Sequence, residues 1–140
     1  GQVRTGDASK ARLDFSGGSI IRLAANSTFS VQQVETANGG LFARLKLEVG
    51  KIWVSLSGGA VEVETPVGVA SVRGSFAIIQ YSPGDPANPD DDQLVLDCLE
   101  GACAALNDNV DARLGNLERV VMNNLGQMRT TLRYPARRWP

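Results

Sequence analysis

The side chains able to do chemistry form three small groups. Asp85, Asp90, Asp91 and Asp92 share the stretch SPGDPANPDDDQ, residues 82–93. Clustered carboxylates suggest calcium, which takes about six to eight oxygens. The spacing is not that of an EF-hand loop, however, and the prolines extend the backbone. A solvated acidic loop is expected, with no metal site. Glu62 and Glu64 stand two apart on an alternating stretch, about 7 Å from each other if extended. A glycosidase needs such a pair in a cleft, but solvated carboxylates on a strand are the ordinary case. Cys98 and Cys103 complete the set. The chain of 140 residues has no histidine, which removes Ser-His-Asp and Cys-His catalysis and histidine-ligated zinc. No phosphate-cradling glycine loop is present. These absences point to a non-enzymatic protein without a cofactor.

Cys98 and Cys103 flank Leu-Glu-Gly-Ala. A turn over Leu99 to Ala102 would set them opposite each other across a hairpin, within disulfide reach. The spacing is not the redox C-x-x-C motif. A disulfide is expected, and with it an exported protein.

The elements that must position these residues read as short strands. Ala11, Leu13 and Phe15 alternate with Arg12 and Asp14, and Ile21 and Leu23 straddle Arg22. Leu41, Ala43, Leu45, Leu47 and Val49 alternate with Phe42, Arg44, Lys46 and Glu48, a strand pattern in residues that also suit a helix. Gly50 turns the chain, and Ile52, Val54 and Leu56 follow, with Trp53 opposite them as either second-layer packing or an interface anchor. Val61 and Val63 alternate with Glu62 and Glu64. Pro66, Gly68, Gly74 and Gly101 read as structural corners. Val110, Leu114, Leu117, Val121, Leu125 and Met128 have helical spacing, but Gly115, Gly126 and Asn123-Asn124 oppose a helix. Strands are expected at Arg119 to Met122 and Met128 to Leu132.

The segment TPVGVASVRGSF, residues 65–76, resembles the core signature of the FecR domain. The opening Val3-Arg-Thr-Gly6 and Ala11 to Phe15, the Leu47 to Val54 strand, the Leu96 to Gly101 strand and the closing Gly126-Gln127 follow in the family's order. The resemblance implies an all-β fold, β-solenoid-like or two-layer, with glycine-marked corners. It also implies a FecR-like domain over residues 1–132; by composition, residues 133–140 read as a basic, aromatic tail. Some exported FecR-like domains are similar in carrying paired cysteines around the Leu-Glu-Gly turn.

The length suits one domain with a real core. A net charge of −1 gives no push toward nucleic acid or membrane, and no apolar run is long enough to span a bilayer. No signal peptide opens the chain, so any export signal is expected to have been removed. The leading functional expectation is an exported module, at the cell surface or in the periplasm, that associates with copies of itself into a homo-oligomer or homopolymer. The acidic loop of Asp85, Asp90, Asp91 and Asp92 would meet a basic tail of Arg129, Arg133, Arg137 and Arg138 on the next copy, with Tyr134 and Trp139 as apolar anchors. The alternative is the periplasmic sensor or relay domain of a FecR-type anti-sigma regulator, whose partner is another envelope protein. A carbohydrate-binding domain is the third reading.

Overall fold

The computed structural model describes residues 2–6, 10–15, 17–37 and 40–132. Period-two burial runs through most of its strands: β1 (Gln2–Arg4), β2 (Ala11–Asp14), β3 (Ile20–Leu23), β4 (Thr28–Ala37), β5 (Gly40–Ser55), β6 (Gly59–Glu64), β7 (Val69–Ser82), β8 (Gln93–Leu106), β9 (Asp111–Leu114), β10 (Glu118–Met122) and β11 (Gln127–Thr131). A single 3-10 turn, Pro89–Asp91, interrupts the acidic loop.

All of these strands belong to one hydrogen-bonded sheet, which three long strands fold into two leaves. In β5 the buried residues are Ala43, Leu45 and Leu47, then Ile52 and Val54; the parity changes at Gly50. In β7 it changes from Ala70 and Val72 to Ala77, Ile79 and Tyr81 across Gly74, and in β8 from Leu94, Leu96 and Cys98 to Cys103 and Ala105 across Gly101. The three glycines have nearly the same φ, +113°, +114° and +110°, a region that side-chain-bearing residues rarely enter. An extra residue at such a bend shifts the alternation by one, so the strand turns around the core and keeps its apolar side inside.

The first leaf runs β1, β4, the front of β5, β6, the front of β7, the rear of β8, β9. The second runs β2, β3, the rear of β5, the rear of β7, the front of β8, β10, β11. Their inward side chains, Phe29, Leu45, Val61 and Val72 from the first and Ile21, Ile52, Ile79, Leu96 and Val120 from the second, form one core cluster. The sheet is open, with edges at β1, β9, β2 and β11. Both expected architectures are visible. The two leaves are layers, while β5 crosses from the first leaf to the second before β6 returns parallel to its front half, as one coil of a solenoid would.

The helical spacing after Asn107 does not produce a helix. Val110, Leu114, Val120 and Met122 are buried, whereas Leu125 and Met128 are 67% and 69% exposed. Leu117, in the middle of that pattern, sits at φ +60° in the turn before β10, where a helix cannot continue.

Two turn expectations are corrected. Gly50 bends a continuous strand rather than ending it. Leu99 to Ala102 is not a hairpin turn either, since β8 runs on through it and Cys103 to Leu106 pair with the front of β7 instead of folding back. Cys98 and Cys103 are joined by a disulfide, with Cα atoms 5.9 Å apart, and the bond therefore spans the corner at Gly101, with one cysteine in each leaf.

Candidate protein-docking face

An antiparallel sheet with its inner face on a core ordinarily turns polar side chains outward. The first leaf obeys. Its outward rows, fixed by register, place Lys46 beside Glu64, and Arg44, Glu62, Ser71, Ala104 and Arg113 side by side. Arg44 lies 3.4 Å from Glu62. That cross-strand ion pair is half-exposed, so Glu62 and Glu64 occupy a charged surface and not a cleft.

The second leaf does not obey. Its central outward row reads Arg12, Arg22, Trp53, Ile78, Asp97, Arg119, Thr130 across seven strands. The row on one side is Asp14, Ile20, Ser55, Phe76, and on the other Lys51, Gln80, Val95, Val121, Met128. The face thus carries Ile20, Trp53, Phe76, Ile78, Val95, Val121 and Met128 where solvated residues belong. Apolar side chains on both faces are characteristic of strands covered on both sides; here Met128 is exposed, Ile78 is buried and the other five are half-buried.

Three contacts shape this face. The Nζ of Lys51 lies over the Trp53 ring, 5.0 Å from its centroid, a cation–π arrangement. Arg12 and Asp14 pair at 2.8 Å at the β2 edge. Near the centre, Asp97 is 5% exposed and accepts two hydrogen bonds from Arg119, Nε to Oδ1 at 2.6 Å and Nη2 to Oδ2 at 2.9 Å. The bidentate fork compensates the burial of the carboxylate, and the hydrogen bond to Asp97 holds the Arg119 pKa above its ordinary value. Asp97 and Arg119 escaped the sequence reading. The available signal was the doubly apolar run on either side, Phe76 to Tyr81 and Leu94 to Leu99, which leaves no polar face for a lone aspartate.

The expected site residues are dispersed. Among the acidic set, Asp92 accepts hydrogen bonds from the Tyr81 hydroxyl at 3.0 Å and the Gly84 N–H at 2.7 Å. Burial, reinforced by Asp92, pushes the Tyr81 phenol up to about 12. Asp85 accepts from the Ala87 N–H, and Asp90 and Asp91 lie exposed in the 3-10 turn. The Asp90 carbonyl accepts from the Asn123 side chain at 3.2 Å, so the loop abuts the β10–β11 turn. Arg129 donates to the Arg113 carbonyl and stands 3.4 Å from Glu118, away from that loop. Arg133, Tyr134, Arg137, Arg138 and Trp139 lie outside the described residues. Pro66 and Gly68 occupy the turn between β6 and β7, where the Thr65 Oγ1 accepts from the Gly68 N–H. No group of three or more metal-ligating side chains occurs among the described residues.

The fold and this face define a two-leaf β module with apolar side chains on the outward side of its second leaf. The FecR protein family pattern matches residues 1–103, and the chain belongs to the FecR family. No curated protein sequence matches it. Two solved structures share the fold at 12% identity: a candidate anti-sigma factor from Parabacteroides distasonis ATCC 8503 at 1.65 Å resolution, with a TM-score of 0.71, and the same description at 2.50 Å, with a TM-score of 0.68. Each alignment covers 94% of this chain and 60% of the other, so this chain spans less than two thirds of their length.

Proposed function

We propose that the chain is the sensor or relay domain of a FecR-type anti-sigma regulator on the periplasmic side of the bacterial envelope. It works by binding protein and carries out no chemistry of its own. FecR membership over most of the chain supports this reading, as does a shared fold with candidate anti-sigma factors. The comparisons favour this relay role over the self-assembling fibre that led the sequence reading. Of the charges invoked for a fibre, Asp85, Asp92 and Arg129 are engaged within the chain. A disulfide across a corner suits an oxidising compartment. The observation that carries the assignment of the site is the set of apolar residues on the outward face of the second leaf, where Trp53 lies in the middle row between Arg22 and Ile78. Aromatic residues and arginine are enriched at interface hot spots.

The test is competitive. Exported into the periplasm of its source bacterium, the chain should occupy the regulator's partner and change the transcripts of one alternative sigma factor several-fold. Trp53→Ala should abolish the change, and Glu62→Gln, on the polar leaf, should preserve it. An unchanged transcript profile with well-exported wild-type chain would refute the relay reading.

A further inference from the structure

The four sheet edges are protected unequally. Exposed edges template pairing with foreign strands, and native proteins blunt them with short strands and charges. β1 is only three residues long. β2 and β9 have four residues each, and each carries an Arg–Asp pair two apart along the edge: Arg12 with Asp14 at 2.8 Å, and Arg113 with Asp111 at 3.2 Å. β11 is less guarded: its one charge, Arg129, pairs inward with Glu118 of β10 and not along the edge. It is five residues long and exposed throughout, holds no carboxylate, and among the described residues pairs only with β10.

This edge also has a place to put side chains. Met128 and Leu125 are the two most exposed large apolar residues described. Together with Gln93, Val121 and Asn123 they line a groove of about 540 Å³. Val95, Val121 and Met128 share one outward row, so the groove continues the docking face of the second leaf to the free edge.

We infer that β11 is an acceptor edge, which takes an extended, acidic segment of a partner protein as an additional strand. Main-chain hydrogen bonds to Gln127–Thr131 supply affinity and alternate side chains supply specificity. Apolar side chains of the segment fall on the side of Met128 and the groove. Those of opposite parity lie beside Arg129, which stays half-exposed while 3.4 Å from Glu118, so that a second carboxylate is its favoured cross-strand neighbour. Charge selects the same partner: from Gln127 to Pro140 the sequence carries Arg129, Arg133, Arg137 and Arg138 and no acid. A second copy fits poorly, because full antiparallel pairing of two β11 strands sets Arg129 against Arg129. The inference rests on the relay reading and on its docking face.

The probe is an acetylated, amidated Glu-Val-Glu-Thr-Glu-Val peptide titrated into the isotope-labelled chain and followed by amide chemical shifts. Perturbations should centre on residues 127–131 and reach Val121 and Leu125. Lys in place of Glu in the peptide should weaken binding at least about threefold. Met128→Lys should weaken it about tenfold, with the remaining amide spectrum unchanged because the side chain is exposed. No perturbation, or one centred on β2 or β9, overturns the inference. The same shifts produced by protein concentration alone would give the edge to a second copy and overturn it too. In the transcript assay, loss with Trp53→Ala but not with Met128→Lys sinks the acceptor edge and leaves the relay reading standing. Insensitivity to both sinks the relay reading itself.

Discussion

At Gly50 the backbone crosses from one leaf to the other with Ser27 against it; at Gly101 it crosses with Gly74 against it. A Cβ on Gly50 would come within 2.6 Å of the Ser27 Cα, and one on Gly74 within 2.7 Å of the Gly101 Cα. The close approach is common to both corners, but what holds it differs. The Gly50 corner is held by hydrogen bonds. The buried Ser27 hydroxyl accepts the Lys51 N–H at 3.0 Å, and its N–H donates to Thr5 Oγ1 at 2.9 Å. Across the sheet Gly50 is the register partner of Tyr81, whose hydroxyl reaches Asp92. The Gly74–Gly101 corner is held covalently by Cys98–Cys103, and the Gly101 N–H donates to Asn116 Oδ1 at 2.7 Å. The first corner should therefore yield to alkali, and the second to reductant.

The largest predicted effect comes from Gly74→Val. A β-branched residue at φ +114°, with backbone 2.7 Å from its Cβ, should cost several kcal/mol or prevent folding. Thermal melting followed by far-UV circular dichroism checks this, and a melt like that of the parent would refute the steric account of the corner. Next is the disulfide. Its small loop implies about 2 kcal/mol of stabilisation, so Cys98→Ala/Cys103→Ala should melt lower, and reductant should lower the parent to match it. Quantitative thiol labelling of the unreduced native protein would show instead that no bond forms. Ser27→Ala leaves the Lys51 N–H without its acceptor and should cost about 1–3 kcal/mol, insensitive to reductant; equal sensitivity would erase the distinction between the corners.

The smallest effect at neutral pH is Tyr81→Phe, about 1 kcal/mol from a single lost hydrogen bond. Its value lies in the pH dependence. The folded-state phenol is raised from 10 to about 12, so its contribution is fully present below pH 10 and is lost as pH climbs toward 12. Chemical denaturation across that window should show the parent losing stability faster than Tyr81→Phe. Parallel loss in both would mean that other groups dominate the alkaline limb.

Much of this was legible in the sequence. Alternation located the strands, and glycines in strand contexts located the corners at Gly74 and Gly101. Reading Leu99 to Ala102 as a hairpin failed for a specific reason. A glycine with positive φ is compatible with both reversal and bending, and the choice falls to the distant partner, here the front of β7, that receives Cys103 to Leu106. The docking face was legible only in part. Trp53 could be singled out, but its neighbours Arg22, Ile78, Asp97 and Arg119 come from four other strands. Their adjacency is a matter of register, which local spacing does not encode. The false helical period from Val110 to Met128 arose because two of its apolar residues, Leu125 and Met128, belong to the surface and not to the core.

The position of β5 sets the order in which the molecule can assemble. It hydrogen-bonds to β3, β4, β6 and β7, partners spread from Ile20 to Tyr81. Before β5 is in place, the earlier described strands can form only two ribbons, β2 with β3 and β1 with β4, which do not pair with each other. Later residues cannot supply the link, because β6 and β7 themselves dock on β5. Nucleation is therefore distant in sequence, and chains dominated by such pairings fold in milliseconds to seconds and not in microseconds. For a chain delivered from its N-terminus, the two ribbons stand with bare edges until Ser55 has emerged, and that interval is when a chaperone matters most.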